Sequence, residues 1–307
     1  RTIDLQMVSE VKSYTSVGQP LFYLYPLRFD NRKYYTEDAS RGRQANATDA
    51  ETICKNIGDG WRLPTASELL MSYVYENALG GNALDGSYYN SQNIYGWYHN
   101  WTGNYWSSSY YTAAGSATRF SLELSTGFPY SESVSDNKYF RCVRDNSKSG
   151  TKYPYLIKST EGVTVVSRDA NGGADSSVLL SSGESPATTN KVAPKFQIEN
   201  TSSTGKTWEQ ARDICAGKGN NWRLPTQREM YLALSLGASV LSNNNQGFGS
   251  STTWTGNGFQ EISGVHWTLT DRDGNYWLVG ENSAVFGASP LVGAATWARY
   301  RCVRTVE

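Results

Sequence analysis

The sequence predicts an α+β chain built as two tandem copies of one domain, each with two short helices and a twisted antiparallel sheet, mostly β and loop. Three observations carry this. Residues 54–68 read Cys54-Lys-Asn-Ile-Gly-Asp-Gly-Trp61-Arg62-Leu63-Pro64-Thr65-Ala-Ser-Glu68, and residues 215–229 read Cys215-Ala-Gly-Lys-Gly-Asn-Asn-Trp222-Arg223-Leu224-Pro225-Thr226-Gln-Arg-Glu229. Each copy closes alike, with Phe140-Arg141-Cys142-Val143-Arg144 in the first and Tyr300-Arg301-Cys302-Val303-Arg304 in the second. A fixed period of about 160 residues between such equivalents marks a duplicated domain. Finally, 307 residues are expected to fold as about two domains on length alone.

The elements follow in chain order. Residues 1–20, with Ile3, Leu5 and Met7 in alternation, read as an N-terminal strand or the remnant of an upstream segment. Residues 21–147 form the first domain and 148–307 the second, with a linker and a hairpin inside 148–194. Pro20–Phe29 is an opening strand or strand pair, and Lys195–Ile198 is its counterpart. Ala50, Ile53, Cys54 and Ile57 fall at helical spacing, as do Trp208, Ala211, Ile214 and Cys215. Thr65 with Glu68, and Thr226 with Glu229, have capping-box spacing. Pro64 and Pro225 keep the preceding residue out of helical angles. A second helix is therefore expected from about Ala66 to Asn77, and again from Gln227 to about Leu236.

Beyond these helices the composition turns to Gly, Asn, Ser and aromatics. Strands are expected around Tyr105–Ser109, Arg119–Leu124, His266–Thr270 and Tyr276–Val279, with final strands at Tyr139–Val143 and Tyr300–Val303. Between the copies, Val163–Arg168 and Ser177–Leu180 flank Asn171-Gly172-Gly173 and read as a hairpin. Ser181–Thr189 reads as a loose stretch.

The four cysteines occupy the same places in each copy. Three connectivities are open to four cysteines; only Cys54–Cys142 with Cys215–Cys302 respects the repeat, and the alternative is four buried thiols. Bridges closing loops of this length would stabilise by roughly 4–5 kcal/mol in the chain-entropy model. They would also place the chain in an oxidising compartment: periplasm, cell surface or medium. The chain opens at Arg1 without a leader, so a mature or trimmed piece is the expectation.

Charge and hydropathy exclude several functions. Formal net charge is zero and no dense Lys/Arg run occurs, which argues against phosphate-driven nucleic-acid binding. It argues equally against docking on an anionic membrane. No run of about 18 apolar residues is available to span a bilayer. Only His99 and His266 exist, no Gly-x-Ser-x-Gly elbow occurs, and the cysteines sit at structural positions, so no enzyme is expected. Thr204-Gly205-Lys206-Thr207 imitates a phosphate loop, but Asn200 stands where the first glycine belongs, and a turn into the following helix is the simpler reading.

No cofactor is expected; calcium is the one metal left open. Asp271-Arg-Asp273-Gly274-Asn275 alternates oxygen ligands around a glycine, although an Asp-Gly hairpin turn explains the same residues. Asn46-Ala-Thr48, Asn100-Trp-Thr102 and Asn200-Thr-Ser202 match the glycosylation pattern and read as incidental.

The order strand, helix, helix, long loop, terminal strands, with a bridge from first helix to last strand, resembles the C-type-lectin-like fold. More narrowly, Gly60-Trp61-Arg62-Leu63-Pro64-Thr65, then Tyr105-Trp106-Ser-Ser-Ser109, then Arg141-Cys142-Val-Arg144 resemble the bacterial family typified by the C-terminal domain of the Legionella collagen-like adhesin. That family is widespread among surface proteins of gut Bacteroidetes. The second copy departs at Asn220-Asn221-Trp222 and at His266-Trp267-Thr268. The resemblance implies a secreted or surface adhesin, of the kind found at a fimbrial or pilus tip, with glycan or protein ligands on host or neighbouring bacterial cells and other pilus subunits as partners. A structural pilus-assembly subunit and a ligand-diversified display protein are the alternatives. The scaffold hosts many ligands, so the motifs speak for fold more than for function.

The candidate site lies in Leu84–Tyr111. Tyr88, Tyr89, Tyr95, Trp97, Tyr98, Trp101, Tyr110 and Tyr111 alternate there with Asn, Ser and Gly. Rigid aromatic anchors among adaptable polar neighbours are the composition of a paratope. Trp106 and Trp267 are assigned to the core by their motif positions; for Trp97, Tyr98 and Trp101, packing and binding are both open. In the second copy Gly237–Val265 is more polar, with Trp254 and Phe259 as its main aromatics, so the two copies need not share a ligand.

Overall fold

The computed structural model describes residues 3–5, 22–24, 44–58, 60–74, 104–110, 117–123, 126–140, 142–145, 155–158, 163–167, 179–199, 203–237, 265–280 and 291–306. They fall into two compact units, one within residues 3–145 and one within 155–306. Both are mostly β with few helices, as the α+β reading expects.

The first unit carries β1 (Ile3–Leu5), β2 (Phe22–Leu24), β3 (Gln44–Ala45), α1 (Ala47–Asn56), α2 (Ala66–Val74), β4 (Asn104–Tyr110), β5 (Thr118–Glu123), β6 (Phe128–Ser133), β7 (Lys138–Tyr139) and β8 (Val143–Asp145). A five-stranded sheet runs β3-β7-β4-β5-β6, and a three-stranded sheet runs β1-β2-β8. The N-terminal strand is therefore part of this unit. Asn46 opens α1 in an extended conformation, and its side chain accepts from Asp49 N at 2.8 Å, the usual N-cap geometry. Ala47, Ala50 and Cys54 then bury one helix face, and Ile53 and Ile57 close its rim.

The second unit repeats the plan with additions. It comprises β9 (Tyr155–Lys158), β10 (Val163–Val166), α3 (Pro186–Thr189), β11 (Lys195–Ile198), β12 (Ser203–Lys206), α4 (Trp208–Gly217), β13 (Trp222–Arg223), α5 (Gln227–Gly237), β14 (Val265–Arg272), β15 (Asn275–Gly280), β16 (Leu291–Gly293), β17 (Ala298–Tyr300) and β18 (Val303–Thr305). Its sheets run β12-β17-β14-β15-β16 and β13-β18-β11-β10-β9. Thr207 caps α4, and with Gln210 it makes a full capping box. Trp208, Ala211 and Cys215 are buried, whereas Ile214 turns outward.

Several sequence expectations need correction. The final strand of each copy is two strands. β7 and β8 belong to different sheets, as do β17 and β18, and the bridging cysteine lies at the crossover. Val163–Val166 does not pair with Ser177–Leu180. It is an interior strand, antiparallel to β9 on one side and β11 on the other; with Val163, Val165 and Val166 buried, its backbone groups need ladder partners along both edges. Leu179 makes a single parallel bridge to Val192, and residues 168–178 lie outside the described residues. Ser203–Lys206 is a strand rather than a turn, and Ser181–Thr189 contains the one-turn α3, capped by Ser185 with Pro186 at its start. Strands β6, β9 and β16 carry no clear alternation and escape the sequence reading.

Candidate functional site

The shared motifs interlock around the start of the second helix in each unit. β4 pairs Trp106 with Ser121 and then Tyr110 with Arg119, so residues 107–109 bulge out of register; β14 does the same between Trp267 and Asp271. A bulge frees backbone groups that need partners, and the Ser and Thr positions supply them. Ser107 Oγ donates to Phe120 O at 2.7 Å, and Thr268 Oγ1 donates to Trp277 O at 3.0 Å. The middle residue reaches the motif proline: Ser108 N to Pro64 O and Leu269 N to Pro225 O, both 2.7 Å. The third hydroxyl meets an N–H of the helix start. Ser109 Oγ accepts from Ala66 N at 3.0 Å, and Thr270 Oγ1 from Gln227 N at 2.9 Å. These first-turn amides have no partner inside the helix, which explains why Tyr-Trp-Ser-Ser-Ser and His-Trp-Thr-Leu-Thr serve equally well.

Trp106 and Trp267 are fully buried, and each indole donates to the carbonyl just before the first helix, Ala45 O at 2.9 Å and Lys206 O at 2.8 Å. Leu63 and Leu224 are buried likewise. The departure at Asn220-Asn221 has a backbone reason. Gly58 and Gly60 have positive φ in the first unit; Gly219 and Asn221 (φ 59°) take those places in the second. Asn is among the few side chains that tolerate the left-handed region.

The sequence reading missed the partner of the motif arginine. Arg223 Nη1 and Nη2 each donate to one oxygen of Glu229 at 2.7 Å. The buried carboxylate also accepts from Thr226 N at 2.9 Å and Ala193 N at 3.0 Å, while Glu229 N returns a bond to Thr226 Oγ1. The predicted capping box is thus present and doubles as an ion pair. A Thr-x-x-Glu preceded by an arginine two residues before the proline is the signal that could have shown it. The side chain of Glu68 lies outside the described residues. Asn190, with φ 46°, ties the segment before β11 to the same helix start through Gln227, Thr270 and Arg228 N.

Both bridges form as the repeat requires, Cys54–Cys142 and Cys215–Cys302, and such bridges suit an oxidising compartment. Beside the second, Glu199 accepts from Cys302 N at 2.8 Å and pairs with Lys218 at 2.6 Å. Burial pulls the Arg301 guanidinium down to about 10, against the opposing pull of Glu199; it stays protonated at neutral pH. It donates to Glu199 O at 3.1 Å.

Of the predicted ligand-binding residues, Tyr88, Tyr89, Tyr95, Trp97, Tyr98, Trp101 and Trp254 lie outside the described residues, as does Tyr111. Tyr110 closes β4, opposite Arg119. Residues 75–103 connect α2 to β4, and residues 238–264 connect α5 to β14. The two divergent stretches therefore hold the same place in each unit, between the second helix and the bulged strand.

Asp271, Asp273 and Asn275 sit at the exposed tip of the β14–β15 hairpin. Asp273 and Gly274 form its two-residue loop with φ of 54° and 77°, the doubly positive pattern of a type I′ turn. The hairpin by itself accounts for this Asp-Gly pair. No group of three or more His, Cys, Asp or Glu able to hold a metal occurs among the described residues. His266 is buried in β14. No helix among them is long and apolar enough to cross a membrane.

The chain matches no known protein family, no curated protein and no solved structure.

Proposed function

We propose that the chain is a pair of C-type-lectin-like domains from a secreted or cell-surface bacterial adhesin, of fimbrial or pilus-tip type, that binds glycan or protein ligands and performs no catalysis. One observation carries this reading. Among the described residues, the words the two copies share are tied to the scaffold: the bulge hydroxyls, the buried indoles, the Arg223–Glu229 pair and the bridges. The segments left to read a ligand are those where the copies differ, and the first of them is the Tyr/Trp/Asn/Ser-rich stretch holding Trp97, Tyr98 and Trp101. Aromatic faces offer rigid area at low entropic cost, and Asn and Ser satisfy ligand hydroxyls. The two bridges fit an exported protein.

The test is binding of the intact chain to a glycan array and to immobilised host extracellular proteins, beside a W97A/Y98A/W101A variant. Loss of binding in the variant supports the site. Equal binding by both proteins removes it.

A further inference from the structure

Trp297 is 67% exposed, and Ile214 in α4, at 38%, is the other exposed large hydrophobic among the described residues. The duplication shows that folding does not ask for this tryptophan. Trp297 ends a turn closed by Thr296 N to Gly293 O at 3.0 Å and docked by Trp208 N to Ala294 O at 3.0 Å. The first unit builds the same turn, with Asp136 N to Ser133 O at 2.9 Å and Ala47 N to Val134 O at 3.0 Å, and puts the exposed polar Asn137 at the equivalent position.

A second difference accompanies the first. Gly205, in the edge strand β12, replaces the exposed Gln44 of β3. A Cβ on Gly205 would stand 3.8 Å from Trp297 Cε3. Its φ lies outside the left-handed region, so the backbone does not require glycine there. The indole thus stands beside Gly205 with room for a Cβ in ordinary van der Waals contact, where a longer side chain such as the first unit's Gln44 would cover part of the ring. Exposed Thr204 adjoins Gly205, and Arg299 follows Trp297 on β17, where Ala298 and Tyr300 turn inward and Arg299 outward.

We propose that Trp297 beside Gly205 is a saccharide-stacking platform in the second unit, separate from the aromatic segment of the first. Among the described residues no other large exposed aromatic accompanies this indole, and exposed Thr204 and Arg299 stand near it in the chain; that does not suit a protein interface, whose centre needs contiguous apolar area. It suits a pyranose: the negative ring face attracts the sugar's polarised C–H groups, and a few polar groups around it set the orientation. The inference shares the saccharide class with the proposed function but not its site.

The experiment prints the intact chain, W297N, W297F, G205Q and W97A/Y98A/W101A against one glycan array, with thermal unfolding of each. The Trp297 indole N–H is then followed by NMR as a retained oligosaccharide is added. W297N restores the first unit's residue and is expected to keep its unfolding midpoint while weakening at least one retained glycan by about tenfold or more. W297F keeps most of that binding, G205Q loses part of it, and the indole signal shifts. Unchanged glycan retention by W297N, or no glycan retained by the intact chain, overturns the proposal. If only the loop variant loses binding, the platform fails and the proposed site stands; if only W297N loses it, the reverse holds.

Discussion

The seam between first helix and sheet is closed differently in the two units. In the first, Glu51 of α1 pairs with Arg119 of β5 at 2.7 Å and with Lys55 at 2.8 Å, above the small Ala47. In the second, the equivalent places hold Arg212, Tyr276 and Trp208. Tyr276 stacks on Trp208 with ring centroids 3.7 Å apart, and the Arg212 guanidinium lies 5.0 Å from the indole centroid. The backbone around both seams is the same, down to the bulge register and the cap. One seam rests on charge and the other on an aromatic stack with a cation above it. The shared words therefore fix the scaffold, and residues beside them are free to exchange one kind of physics for another.

The largest test of this equivalence is the bridges. Replacing Cys54 and Cys142 by serine, or Cys215 and Cys302, should cost each unit a similar amount, roughly 4–5 kcal/mol in the chain-entropy model, read by urea unfolding of each double variant. A large effect in one unit alone would break the equivalence.

Next comes Glu229→Ala. It strands the partly buried Arg223 charge and the amides of Thr226 and Ala193; losing one partner of a fully buried pair costs about 3–5 kcal/mol, and the partial exposure of Arg223 puts the expected loss at the low end, about 3 kcal/mol. Unfolding of the second unit at lower urea, with the first unchanged, is the expected outcome. An unshifted transition would remove the ion pair from the account of the motif.

The seams should also part in acid. Burial pushes the Glu51 carboxyl up, but the hydrogen bonds and charges of Lys55 and Arg119 outweigh this and leave it below its ordinary value of 4.5. A carboxyl lowered in the folded state contributes stability that is present above its unfolded pKa and lost as pH falls through the folded one. Amide exchange in α1 should therefore accelerate as pH drops below about 4.5, after correction for intrinsic rates, more than in α4, where the Tyr276–Trp208 stack replaces the Glu51–Arg119 pair and the one carboxylate on Arg212, that of Asp213, is exposed. Equal acid sensitivity of the two helices would contradict this.

The smallest effect belongs to the caps. Asn46→Ala should destabilise the first unit by about 1 kcal/mol, and Thr207→Ala the second by a similar amount, both seen as shifts in urea midpoint. A change in one helix alone would show that the caps are not equivalent.

The sequence already carried much of this. The repeat revealed the duplication, the cysteine pairing and both helix starts, because each depends on residues near in sequence or fixed by period. Trp106 and Trp267 were readable as core from motif position. The splitting of the last strand was not, since Arg301-Cys302 looks like a continuation of β17 and only the second sheet shows otherwise. The false hairpin at Val163 arose from local turn chemistry, whereas the actual partners are chosen by apolar neighbours at longer range. Trp297 passed unnoticed because exposure depends on what lies opposite, here a glycine in another strand.

The central claim is that the shared words build the scaffold and the differing segments bind. The most direct measurement compares the intact chain with W97A/Y98A/W101A for glycan and host-protein binding, with unfolding midpoints taken alongside. An unchanged midpoint with binding lost is the predicted result; binding retained at full strength by the folded variant would contradict the account.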